Sequence, residues 1–123
     1  MRCFAIAVVL VGCSSEPEGS LTGASCPDVD PPTYASFGQQ FMTAYCIDCH
    51  SENLRGDDRE GAPPTIDFDT QSLLRQHTSR IDKQAAFGPM AQNRLMPPAD
   101  GGPKPSDAER TRLGEYIACE VAR

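Results

Sequence analysis

Cys46-Ile47-Asp48-Cys49-His50 places two thiols two residues apart and an imidazole directly after the second. Residues three apart share one face of a helical turn, so a single turn presents both sulfurs to one edge of a planar ligand. The imidazole follows one step on, within reach of a metal at the centre of that ligand. This is the pattern of covalent haem attachment: each thiol adds across one porphyrin vinyl group, and His50 approaches the iron from the proximal side. Two other readings stand beside it. A bare Cys-x-x-Cys near a βαβ pattern suggests a thioredoxin-like site, but no such pattern surrounds this one and His50 would be unexplained. A structural zinc site wants a second ligand pair. The chain has no second Cys-x-x-Cys, and its other histidine is His77.

Outward from that motif the chain reads as short helices. Tyr34, Phe37, Phe41 and Tyr45 recur at spacings of three and four, an amphipathic helix that runs into the motif with Thr33 as its N-cap. Ser51 to Thr65 is polar, with Gly56, Gly61, Pro63 and Pro64, and reads as a loop in which Asp57, Asp58 and Glu60 are solvated. Asp69 or Thr70 can cap a second helix whose face is Leu73, Leu74, His77 and Ile81, ending at Gly88-Pro89. Ser106 and Glu109 form a capping box for a last helix with Leu113, Tyr116, Ile117 and Val121 as its expected buried stripe. No strand-like alternation occurs. The expected fold is all-α, three or more short helices packed around one covalently bound haem. What remains from Thr33 onward allows one small domain with a marginal core and no tryptophan. Haem would supply the missing apolar mass.

Iron held by one imidazole leaves a sixth position. Met96 stands before Pro97-Pro98, and two prolines stiffen the backbone that would hold a flexible thioether near a metal. The bland alternative for any methionine is gap-filling in the core. Met90, after Gly88-Pro89, is the reserve. His77 is the third candidate, although a histidine on an apolar helix face is more often a packed core residue. It could instead meet a haem propionate, as Arg75, Arg80 or Arg94 could.

The first residues speak to location. Met1-Arg2 precedes the apolar run Cys3 to Val11, a signal-peptide segment too short to span a bilayer, which takes ~20 residues. Leu10-Val11-Gly12-Cys13 resembles a bacterial lipobox, which implies cleavage after residue 12 and acylation of Cys13. The alternative is an ordinary cleaved signal with Cys13 incidental. Either way the chain is expected to be exported, and a lipid on Cys13 would hold it on a membrane with the domain in the periplasm or on the cell surface. Residues 13–32 then form a lipidated, polar, flexible tether followed by a stiff Pro-rich lead-in, and 33–123 the domain. Of six cysteines, Cys26 and Cys119 are left over. In an oxidising compartment they are a disulfide candidate, two separate buried thiols being the alternative. Such a bridge stabilises by about 4–5 kcal/mol in the chain-entropy model.

With 17 acidic against 11 basic residues and a net charge of −6, nucleic-acid binding is disfavoured. No catalytic triad, phosphate loop or acid–base carboxylate pair stands out, so no enzyme activity is expected.

Cys46–His50, Met96-Pro97-Pro98 and the terminal Leu113-x-x-Tyr116-Ile117 helix resemble a small class I, monohaem c-type cytochrome over roughly residues 33–122. The resemblance implies crossing N- and C-terminal helices with one haem c between them. It makes Cys46 and Cys49 thioether sites, His50 the proximal ligand and Met96 the distal one. Gly38 and Phe41 fit the family's first-helix pattern only loosely, and a Cys26–Cys119 pair is not a general family feature. The expected function is electron transfer between redox protein partners, with iron cycling between ferric and ferrous. A haem-based sensor or small haem enzyme with a dissociable distal ligand is the alternative, and a haem-free lipoprotein binding module the second.

Overall fold

In the computed structural model, which describes residues 17–123, Thr33 opens the first helical segment with a reciprocal cap. Its Oγ1 accepts the Ser36 amide at 3.0 Å, and Ser36 Oγ accepts the Thr33 amide at 2.9 Å, satisfying two donors a helix start otherwise leaves open. The first turn, Tyr34–Gly38, is π-helical and passes into α1, Gln39–Tyr45. Phe37, Phe41 and Tyr45 stack along it with centroids 5.4 and 5.0 Å apart, and Phe41 and Met42 are buried.

After Thr70 the sequence pattern predicts one helix; the chain forms two. Thr70 caps α2, Gln71–Arg75, and α3 spans Thr78–Ala85. The Gln76 and His77 amides bond back three residues, to Leu73 and Leu74. That tightened turn ends α2, and His77, with φ −129° and ψ 18°, restarts the helix. Leu74 and Ile81 are buried, while Leu73 and His77 are only half-buried. The pair stops at Ala85, ahead of Gly88-Pro89, because Ala86 turns extended and Phe87 donates to the Arg110 carbonyl.

The last helix, α4, spans Asp107–Val121 with the Ser106/Glu109 capping box in place. Leu113, Tyr116 and Ile117 are buried, but Val121 is 69% exposed. The final turn instead turns Cys119 and Glu120 inward, because each has a partner there. Cys119 is bridged to Cys26, with Cα atoms 4.6 Å apart, and Glu120 takes Arg75 at 2.6 Å and Gln71 at 2.9 Å. Two glycines let α4 sit this close. A Cβ on Gly38 would lie 2.5 Å from the Tyr116 ring, and one on Gly114 would collide with the Phe87 carbonyl. Tyr45 Oη donates to Glu109 at 2.8 Å, fixing the end of α1 to the start of α4. Among the described residues there is no strand, only an isolated antiparallel bridge between Phe87 and Gln92. The fold is all-α.

The flexible tether is corrected for its described part. Residues 17–25 lie as a strap on the domain, so the folded unit begins at least by Pro17 and not at residue 33. Thr22 is buried, giving its amide and hydroxyl to Asp82 at 2.8 and 2.6 Å. Asn93 donates to the Ser20 carbonyl at 2.7 Å, and Gln84 to that of Pro17 at 3.3 Å. Polar composition suggested solvation, yet these polar atoms serve as partners for buried Asp82 and Asn93, which need them. The Pro-rich lead-in is bent at Asp28–Asp30, where Asp30 adopts φ 52° and is held by Arg112 at 2.7 Å. The signal-peptide, cleavage and Cys13 acylation readings lie outside the described residues.

Candidate haem site

Cys46 ends α1, and the chain keeps turning. The Cys49 and His50 amides both donate to the Cys46 carbonyl, at 3.2 and 2.9 Å. This single turn brings Cys46, Cys49 and His50 to one cavity of about 420 Å³, within the size range of cofactor sites. Phe41, Ile66, Phe68 and Ile81 give it apolar walls, and Met96 with Pro97, Pro98 and Pro103 lines another part. Pro17, at the start of the strap, lines it too.

His50 is fixed by its other ring nitrogen. Nδ1 donates to the Ile66 carbonyl at 2.9 Å, which leaves Nε2 for a metal and sets the tautomer. Burial foremost lowers the His50 pKa, against the Ile66 hydrogen bond, which raises it. The shift favours the neutral ring, the form that ligation requires. Its own carbonyl takes the Phe68 amide at 3.0 Å, and the Phe68 ring lies 5.0 Å from the imidazole. Burial also pushes the Cys46 thiol up to about 12, although the residue keeps some access through the cavity. The Cys49 thiol is raised by burial and then by Glu60, whose carboxylate sits 3.6 Å from its sulfur.

The candidates for the second axial position separate by place. Met96 lines the cavity and is 38% exposed; its amide donates to the Gln84 carbonyl and its carbonyl accepts Arg110 Nη1, both at 2.9 Å. Met90 is 78% exposed and does not line the cavity; it packs against Gly23 of the strap. His77 donates to the Thr65 carbonyl at 3.1 Å and lines a different, open cleft. Of the arginines, Arg75 is committed to Glu120 and Arg94 to Asp107 at 2.8 and 3.0 Å. Arg80 lines the cavity.

Two free thiols, a neutral imidazole with one nitrogen in reserve and a thioether around one apolar cavity are a donor set that fits haem c. The family model for cytochrome c matches residues 35–119. The chain belongs to the cytochrome c family. No curated protein and no solved structure matches it. Membership brings covalently bound haem c and haem-based electron transfer.

Bound in this cytochrome, haem supplies a one-electron iron couple. The chain's own part would be to hold the Cys46 and Cys49 sulfurs and the His50 imidazole in one turn and to exclude water with aromatic and proline walls. Two buried arginines that shape the site were missed at sequence level. Arg59, in the 3₁₀ turn Gly56–Arg59, binds the carbonyls of Ser51, Pro63 and Ile66 at 2.6, 2.6 and 3.2 Å and Asp67 at 2.7 Å. Arg110 Nη1 donates to the carbonyls of Ala85, Asn93 and Met96 at 2.8, 3.2 and 2.9 Å. Arg110 was legible in principle, because Arg110, Leu113 and Ile117 continue one helical face. Arg59 was not, since Asp57-Asp58-Arg59-Glu60 looks like any solvated charge run.

Proposed function

We propose that this cytochrome is an electron carrier with one haem c, thioether-bonded to Cys46 and Cys49 and ligated axially by His50 and Met96. What carries the reading is that Met96 shares a cavity with the attachment motif while Met90 and His77 do not. One electron enters from a reduced protein donor and leaves to an oxidised acceptor, with both ligands retained, so little reorganisation accompanies either step. A filled coordination sphere leaves no place for substrate, and the protein is not an enzyme. We extend the reading to export and acylation of Cys13, which would anchor the domain to a membrane, in the periplasm or on the cell surface. Among the described residues no helix is long and apolar enough to cross a membrane.

Replacing Met96 tests the ligand set. In Met96→Ala the midpoint potential falls, because a thioether favours the ferrous state, and the ferrous protein gains carbon monoxide binding. A variant with the parent's spectrum and potential would remove Met96 from the role. Carbon monoxide binding by the unaltered ferrous protein at neutral pH would favour a sensor or small haem enzyme instead.

A further inference from the structure

We propose that Arg59 is a positioning residue for the proximal ligand: by sharing the Ile66 carbonyl with His50 it weakens the hold on Nδ1 and biases the iron towards the ferrous state. The inference rests on His50 being that ligand.

The Arg59 side chain is 4% exposed, and a buried guanidinium is costly unless its nitrogens find acceptors. Here each nitrogen has at least one. Nε donates to Ala62 at 3.2 Å, Nη1 to Ser51, and the two Nη2 hydrogens are shared among Pro63, Ile66 and Asp67. Four of these five acceptors are backbone carbonyls of the segment that wraps His50. A surface staple would need none of that burial.

The Ile66 oxygen has two lone pairs. His50 Nδ1 uses it at 2.9 Å and Arg59 Nη2 at 3.2 Å. An acceptor that also receives a bond from a cation has less electron density for a second donor. A metal-bound histidine gains basicity from the acceptor on its other nitrogen, so a depleted Ile66 oxygen makes His50 a weaker donor to iron. Weaker donation disfavours the ferric state. The guanidinium charge acts in the same direction through space, partly offset by Asp67 at 2.7 Å. The offset touches the through-space part and, by drawing on the same Nη2, also tempers the pull on Ile66.

Two variants of the holoprotein separate these effects. Arg59→Gln removes charge and pull; the reduction equilibrium shifts about tenfold towards ferric, the low end for a supporting partner of a ligand, which is about 59 mV lower for one electron. Asp67→Asn leaves Arg59 stronger on Ile66, and the midpoint moves the opposite way. The His50 Nδ1–H proton resonance of the diamagnetic ferrous protein reads the path itself: it moves downfield in Arg59→Gln and upfield in Asp67→Asn. If Arg59→Gln does not fold, Asp67→Asn alone decides by the same two readouts. A potential that moves while the resonance stays put shows action through space only and overturns the role. Unchanged potential and resonance in a haem-loaded variant reduce Arg59 to a structural staple and overturn it equally. Unaltered protein lacking covalent haem fails the function reading first, and this inference with it.

Discussion

The two sides of the haem cavity are built differently. On the proximal side His50 is bonded through both ring and backbone: Nδ1 donates to the Ile66 carbonyl, its carbonyl accepts the Phe68 amide, and Arg59 gathers the carbonyls around it with its own counter-ion in Asp67. On the distal side the hydrogen bonds to Met96 among the described residues run through its backbone, to Gln84 and from Arg110. Arg110 is equally buried, yet no carboxylate within salt-bridge range pairs it among the described residues, and its Nε has no partner. On the proposed ligation, the proximal residue is held by ring and backbone and the distal one by its backbone, so the side expected to yield first under stress is the distal one.

The hardest blow to that contrast is removal of the disulfide. Cys119 lies on α4, the helix that also carries Arg110, so the bridge ties the helix that reaches the distal side to the lead-in at Cys26. The double variant Cys26→Ala/Cys119→Ala should lose about 4 kcal/mol of unfolding free energy in urea. Carbon monoxide uptake by the ferrous protein should rise, while covalent haem and His50 ligation persist. Equal loss of stability without increased uptake would detach α4 from the distal ligand.

Arg110→Met comes next. It leaves the Ala85, Asn93 and Met96 carbonyls without their donor, and the first two lie in the interior. A loss of about 3 kcal/mol follows from buried acceptors left unpaired, together with a more labile distal ligand. A loss below about 1 kcal/mol would mean that solvent replaces the guanidinium, and the distal loop would then owe little to it.

How far the chain was legible follows the same division. The proximal motif could be read because its chemistry is local: two thiols and an imidazole within one turn. Met96 could be singled out because the prolines beside it are also local. The N-caps were readable for that reason: Thr33 and Ser106 cap as expected, and of the two candidates Asp69 and Thr70 the cap is Thr70. What could not be read depends on partners far along the chain. The strap looked like a tether because Thr22 finds Asp82 only in the fold, and Val121 looked buried because nothing local says that Glu120 meets Arg75. His77 broke a helix whose pattern ran on unbroken, since the break is set by how α2 and α3 each pack. Arg59 is the extreme case, a charge in an acidic run that ends up beneath the proximal histidine.

The gentlest test probes redundancy on the proximal side. Ser51 Oγ donates to Asp69 Oδ1 at 2.5 Å, and the Glu52 amide takes the other oxygen at 2.8 Å. Burial would raise the Asp69 pKa, but these hydrogen bonds outweigh it and hold the carboxyl below its usual value. A depressed carboxyl contributes stability that is present above its unfolded pKa of about 3.9 and is lost as pH falls through the folded value. Ser51→Ala removes one of the bonds, so the folded pKa moves back towards the unfolded one: the acid loss still sets in near the unfolded pKa, but it is smaller and complete at a higher pH. At neutral pH the cost should be about 1 kcal/mol, because Asp69 is half-buried and water can take the vacated position. The optical spectrum and potential should not move, since Ile66, Phe68 and Arg59 still hold His50. A shifted spectrum after so small a deletion would show the proximal network to be a chain of single links, and the contrast with the distal side would disappear.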